Sequence, residues 1–177
     1  MALIVQKYGG TSVAYLDRIR NVAKRVARTY DSGNDVVVIL SAMAGVTDNL
    51  IRMANQVTES PDKRELDVLL ATGEQTTAAL LAMTLRAMNY AAESILGHQA
   101  KVVTDCAFGN ARILDIGADP IRALVQNRKI VVMAGFQGCD INGNITTLGR
   151  GGSDTSAVAI AAAIKEYAIN NKLIASR

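Results

Sequence analysis

Residues 36–40 read Val-Val-Val-Ile-Leu, and residues 130–133 read Ile-Val-Val-Met. A strand with one wet face alternates apolar and polar side chains, so an unbroken β-branched run marks a strand covered on both faces. Parallel neighbours of that kind need helical crossovers between them. Those crossovers are legible. Val13, Leu16, Ile19, Val22, Ala23, Val26 and Ala27 fall on one helical face, with Arg18, Arg20, Lys24 and Arg28 mostly opposite. Helices are also expected over 48–57, 65–88, 120–127 and 153–165, and shorter strands over 2–6, 92–96 and 101–103. The expected fold class is α/β, a three-layer α-β-α arrangement around a central, mostly parallel sheet. Ile4, residues 36–39 and residues 130–133 should be its buried strands. Residues 135–152 read as a Gly-rich loop, and 166–177 as a frayed helix end or tail.

The charge pattern narrows the function. Among 177 residues, 19 are basic and 16 acidic, interspersed, for a net charge of +3. No run of like charges marks a nucleic-acid arm or a membrane-binding patch, so neither partner is expected. Cys106 and Cys139 lie too far apart for a CxxC motif, and they read as buried thiols of a reduced compartment. The apolar start is too short for a signal peptide. The uncharged stretches 75–85 and 155–164 are too short to span a bilayer. A soluble, cytoplasmic protein is expected.

In open α/β sheets, ligands bind at the carboxyl ends of the strands, where loops meet helix amino termini. Three segments therefore carry the interest: Lys7 to Ser12, Ser41 to Met43, and Gly135 onward. Gly9 and Gly10 let backbone N–H groups approach a ligand closely, and Lys7 adds a point charge suited to phosphate. A tight turn with a solvated lysine explains the same residues. Ser41 and Thr47 can equally be helix caps. No Walker A sequence is present, which excludes an ordinary P-loop.

Glu74 stands alone, the single charge between Val68 and Leu85. A carboxylate in such a stretch is costly without a cation or donors, so it is either a structural glutamate or a ligand for a positive group. The densest signal is Thr146 to Thr155, where Arg150 lies between Gly149 and Gly151 and a helix begins near Ser153 and Asp154. An arginine, paired glycines, a hydroxyl and a helix amino terminus all favour an anion. Capping accounts for Ser153 and Asp154, but not for Arg150. His98, the single histidine, has no ligand-spaced partner, and no metal site is expected.

Together these segments resemble the aspartate kinases, of the amino acid kinase superfamily. The likeness runs from about Val5 to Lys165. Residues 7–13 resemble that family's KFGGTSV opening with Tyr8 in place of Phe, residues 70–75 and 135–138 match its motifs, and Thr146 to Asp154 resembles its TTLGRGGSD signature. Residues 97–101 and 105–109 depart from its pattern, so no role is carried over to that loop.

The resemblance implies ATP-dependent phosphorylation of the side-chain carboxylate of L-aspartate, the first step toward lysine, threonine and methionine. Lys7, Tyr8, Gly9, Gly10 and Ser41 would hold the nucleotide, with Mg²⁺ carried on its phosphates. Thr47, Glu74, Arg150, Gly151, Gly152 and Ser153 would hold aspartate. Lys7 and Asp154 would be catalytic, Asp154 organising the lysine. It further implies that residues 1–165 are the amino-terminal, substrate-binding portion of a kinase domain and 166–177 a divergent tail. The nucleotide-binding half and the regulatory ACT domains would be absent. The chain would then be an enzyme of weak or no activity alone, or a non-catalytic aspartate-binding module paired with another kinase chain. An uncovered sheet edge would favour homo-oligomers.

Overall fold

A computed structural model describes residues 2–175. Along the chain come β1 (Leu3–Tyr8), a 3-10 turn (Gly10–Val13), α1 (Leu16–Asp31), β2 (Asp35–Leu40), α2 (Val46–Val57) and α3 (Lys63–Ala87). Then follow β3 (Ala92–Ile95), β4 (Val102–Thr104), β5 (Ile113–Ile116), α4 (Asp119–Gln126), β6 (Ile130–Ala134), β7 (Gln137–Cys139), β8 (Ile145–Thr147) and α5 (Gly152–Ala175).

The main sheet has the order β1-β2-β6-β3, with every pair parallel. The two unbroken apolar runs are its central strands, and alternate residues feed opposite layers. Val36, Val38, Leu40, Ile130 and Val132 pack with Ile19, Val22 and Val26 of α1 and Leu81 and Leu85 of α3. Val37, Ile39, Val131 and Met133 pack with Ile121 of α4 and Ile160 and Ile164 of α5. The three-layer α-β-α architecture expected from the sequence is therefore present.

Ile4 differs from expectation. Among the described residues its strand lies at a sheet edge and pairs only with β2, and Ile4 is half-buried while Leu3 is 38% exposed. The helix α5 also continues past Lys165 through Ala175, where a frayed helix end or a tail was expected. The end of that tail, Ser176 and Arg177, lies outside the described residues. Cys106 is exposed and Cys139 half-buried, so neither is the buried thiol expected.

A second sheet, β5-β4-β7-β8, interrupts what read as a glycine-rich loop. It is mixed: β4 runs antiparallel to β5 and parallel to β7, and β7 and β8 form a hairpin. Asp140 closes that hairpin by accepting from the backbone N–H groups of Asn142 and Asn144 and from the Asn144 amide, each at 2.9 Å. Gly138 permits the close approach of β7 to β4, because a Cβ there would sit 2.6 Å from the Val102 carbonyl oxygen.

By length and composition α3 alone, among the described residues, is apolar enough to cross a membrane. Half of that stretch is buried inside the protein, and Asp67 and Glu74 are among its buried residues. Those features belong to a core helix.

Candidate active site

The carboxyl ends of β1, β2 and β6 open into one cleft of about 330 Å³. Five segments line it: Lys7 and Gly10, residues 41–45 with Thr47, Glu74, Phe136, and residues 149–154. Residues far apart in sequence thus converge at the edge where a parallel sheet binds ligands.

Lys7 reaches the cleft because β1 extends past its apolar start, pairing Lys7 with Ile39 and Tyr8 with Leu40. Alternation then sends successive side chains to opposite faces. Lys7 Nζ lies 2.8 Å from Asp154 Oδ1 in the first turn of α5. Asp154 is 72% exposed, so the pair adds little stability; its effect is to hold the ammonium at the cleft wall.

Glu74 is 5% exposed. The Ser153 hydroxyl donates to its Oε1 at 2.9 Å, and the Ala42 backbone N–H donates as well. Burial pushes its pKa up to about 8, and the Ser153 and Ala42 hydrogen bonds and the Lys7 charge only partly oppose this. Such a carboxyl is short of a cation. Gly73 makes the arrangement possible, since a Cβ there would stand 3.0 Å from the Ala42 Cβ, and α3 could not approach so closely.

The segment between β8 and α5 turns on two glycines in the left-handed region, Gly149 at φ +74° and Gly151 at φ +77°. Between them Arg150 is exposed, and its guanidinium makes no hydrogen bond or ion pair among the described residues. Phe136 shares the left-handed conformation, at φ +67°, which is unusual for a bulky side chain. Its N–H donates to the Ser156 hydroxyl at 3.0 Å and its carbonyl accepts from Leu148 N–H at 2.8 Å, so the cleft floor holds it there. Strain of this sort collects at ligand sites.

Of the residues singled out from sequence, Lys7, Gly10, Ser41, Thr47, Glu74, Arg150, Gly151, Gly152, Ser153 and Asp154 all line the cleft. Tyr8 does not. It packs half-buried against the core beneath α1 and α3, and its hydroxyl donates to Gln6 Oε1 at 3.2 Å. Gly9 is also off the lining, although a Cβ there would crowd Lys7 Nζ at 3.3 Å. Neither Ser41 nor Thr47 caps α2, whose N-cap is Gly45 without a side-chain bond. His98 is exposed and away from the cleft.

Phe136 lay in a segment of interest but was given no role of its own, and Asp67 escaped the sequence reading. Asp67 is wholly buried and accepts from Thr147 and Gly109. The available signal was its spacing, about two helical turns before Glu74 on the same face of α3. The loop without an assigned role also has a place: Asn110 Oδ1 would lie 2.8 Å, and the Gly109 carbonyl oxygen 3.3 Å, from a Cβ at Gly149.

The model of the amino acid kinase family matches residues 2–169. An aspartokinase of Bacillus sp. (strain MGA3) is 57% identical over 165 residues, covering 93% of this chain and 40% of that protein. An aspartokinase of Pseudomonas aeruginosa is 56% identical over the same shares. The chain thus spans about 40% of the length of these curated relatives. The crystal structure of aspartate kinase from Synechocystis superposes with a TM-score of 0.78 at 46% identity, over 92% of this chain and 26% of that one. Aspartokinase III of E. coli, crystallised in complex with lysine and aspartate, superposes with a TM-score of 0.80 at 25% identity, over 92% of this chain and 47% of that one.

Proposed function

The chain belongs to the amino acid kinase family, and from that premise we propose that it forms the aspartate-binding part of an aspartate kinase. The observation that carries this reading is the pairing of Glu74 with Ser153 in a cleft that also holds Lys7 and Arg150. Those groups complement an amino acid with a second carboxylate. Glu74 takes the α-ammonium, and Arg150 grips the α-carboxylate in a bidentate fork. Thr47, Ser153 and the backbone at Gly151 and Gly152 complete the contacts. The relatives named aspartokinase, and the aspartate in the E. coli complex, support the choice of amino acid.

The reaction needs no general base in this scheme. A free β-carboxylate, with a pKa near ~4, is already ionised at neutral pH. One of its oxygens attacks the γ-phosphorus of ATP, the bond from that phosphorus to the β,γ-bridging oxygen breaks, and ADP leaves with the bridging oxygen's electron pair. The product is 4-phospho-L-aspartate. The protein must align two anions and neutralise the charge between them. Lys7, held by Asp154, supplies a positive charge at the point of transfer, and Gly10 lets the backbone approach the phosphates. Among the described residues no three acidic, His or Cys side chains are grouped to hold a metal ion. In this scheme Mg²⁺ would be carried on the nucleotide phosphates, where it would shield their charge. Adenine and ribose contacts come from outside the matched segment, on the same chain or another.

The assignment extends to a cytoplasmic enzyme at the head of lysine, threonine and methionine synthesis. The half-buried edge strand β1 supports association with further copies or with another kinase chain. A second reading keeps the site but not the chemistry: an aspartate-binding module whose partner supplies the nucleotide site. A hydroxamate assay for aspartyl phosphate separates the two. Turnover with MgATP by the purified chain supports the catalytic reading, and aspartate binding without turnover supports the module.

A further inference from the structure

We propose that Asp67 is a positioning residue that fixes where Arg150 stands relative to Glu74, and so sets recognition of the substrate's α-carboxylate. The assignment rests on reading the cleft as an aspartate site. Asp67 is 0% exposed. Its Oδ2 accepts from the Thr147 N–H at 2.8 Å and the Gly109 N–H at 3.0 Å, and its Oδ1 accepts from the Thr147 hydroxyl at 2.7 Å. All three donors are neutral, and no cation pairs with Asp67 among the described residues.

Burying a carboxylate on those terms is costly, and apolar packing would join α3 to β8 more cheaply. What a carboxylate adds is direction, because donors from two segments must meet at one fixed point. The beneficiary is the Arg150 segment. Arg150 sits between two left-handed glycines, and its guanidinium makes no hydrogen bond or ion pair among the described residues. Glycines at those positions give the backbone wide freedom. Inside the segment the backbone is tied at Leu148, whose N–H donates to the Phe136 carbonyl, and at Gly152, whose N–H donates to the Gly149 carbonyl, and its two ends land on α3: Thr147 on Asp67 and Ser153 on Glu74. The two anchors lie about two turns apart on one helix face, a separation of ~10 Å that a helix keeps rigidly.

The loop around residues 105–111 is the third member of this clamp. Asp67 takes the Gly109 N–H, Ala111 N–H donates to the Thr147 carbonyl at 2.9 Å, and Asn110 crowds Gly149. That loop has no place in the cleft itself. Its contribution is to back the Arg150 segment from behind.

The test compares L-aspartate with β-alanine, which keeps the ammonium and the reacting carboxylate but lacks the α-carboxylate. Affinities are measured by calorimetry on the 177-residue chain and on Asp67→Asn, Thr147→Val and Thr147→Ser, with thermal unfolding recorded for each. Asp67→Asn should weaken L-aspartate by about tenfold or more while β-alanine changes by less than about threefold. Thr147→Val, which removes one donor and leaves the N–H, should move the same way to a smaller extent, and Thr147→Ser should match the parent. If Asp67→Asn does not fold, Thr147→Val against Thr147→Ser carries the comparison. Aspartate affinity within about twofold of the parent in folded Asp67→Asn and in Thr147→Val would overturn the assignment. So would an equal loss of both ligands, which is what a merely structural carboxylate produces. A parent chain that binds neither ligand would overturn the aspartate reading beneath it, a result distinct from a parent that binds and variants that do not differ.

Discussion

The Ser153 hydroxyl donates to Glu74 Oε1 at 2.9 Å, across 79 positions of sequence, and joins the first turn of α5 to the middle of α3. Each side chain explains the other. Ser153 is diverted from capping α5, and Glu74 gains one of the few donors that make its burial tolerable. The bond leaves Glu74 partly satisfied and its pKa high, at about 8.

The raised pKa makes stability depend on pH in a stated direction. Unfolded, Glu74 ionises near ~4.5, whereas folded it holds its proton until about 8. The folded state therefore binds more protons between those values, and stability falls as pH rises from about 4.5 to about 8, then levels off. Glu74→Gln removes that dependence. Urea unfolding at pH 5 and pH 8 should show the parent losing on the order of 2–4 kcal/mol more than Glu74→Gln across the window. Equal slopes would show that Glu74 ionises normally.

Substrate binding should reverse the shift. An ammonium beside Glu74 favours the carboxylate, so L-aspartate binding at pH 7 should expel up to about one proton. Calorimetry in buffers of different ionisation enthalpy measures that release directly. Glu74→Gln should show none and should bind aspartate at least about tenfold more weakly.

Arg150 offers the converse case. It is exposed and unbonded among the described residues, so Arg150→Ala should change stability by less than about 0.5 kcal/mol. Aspartate affinity should nonetheless fall by roughly 100-fold, because the α-carboxylate loses its fork. Arg150→Lys should recover only part of it. A large loss of stability in Arg150→Ala would contradict the geometry.

The Lys7–Asp154 pair should matter to chemistry more than to folding. With Asp154 largely exposed, Asp154→Asn should cost no more than about 1 kcal/mol in unfolding experiments. Lys7→Met should leave aspartate binding intact and remove any phosphate-dependent step. Loss of aspartate binding in Lys7→Met would place the lysine at the wrong end of the substrate.

The cleft was legible in the sequence because its residues break local rules. Glu74 is a charge in an apolar helix, Arg150 a cation between glycines, and Lys7 a cation ending a strand. Such inconsistencies mark functional sites. Tyr8 was misplaced because strand register decides its face, and register belongs to the sheet rather than to a local pattern. A strand near β4 was expected, but the second sheet was missed because its strands are short, β4, β7 and β8 being three residues each, and carry polar side chains such as Thr104, Gln137 and Thr146. Those side chains also depend on partners distant in sequence: Thr104 with Thr146 at 2.6 Å, and Gln137 with the Ala71 carbonyl at 3.1 Å. Phe136 gave no warning, since its left-handed backbone follows from the bonds that Ser156 and Leu148 make to it.

The central claim is that this cleft recognises aspartate through both ends of its amino acid backbone. Calorimetric titration of the purified 177-residue chain with L-aspartate, succinate and β-alanine tests it most directly. Succinate lacks the ammonium that Glu74 should hold, and β-alanine lacks the carboxylate that Arg150 should grip. The account predicts saturable binding of L-aspartate at one site, with each analogue weaker by about tenfold or more. No binding of L-aspartate, or succinate binding as tightly as L-aspartate, would contradict it.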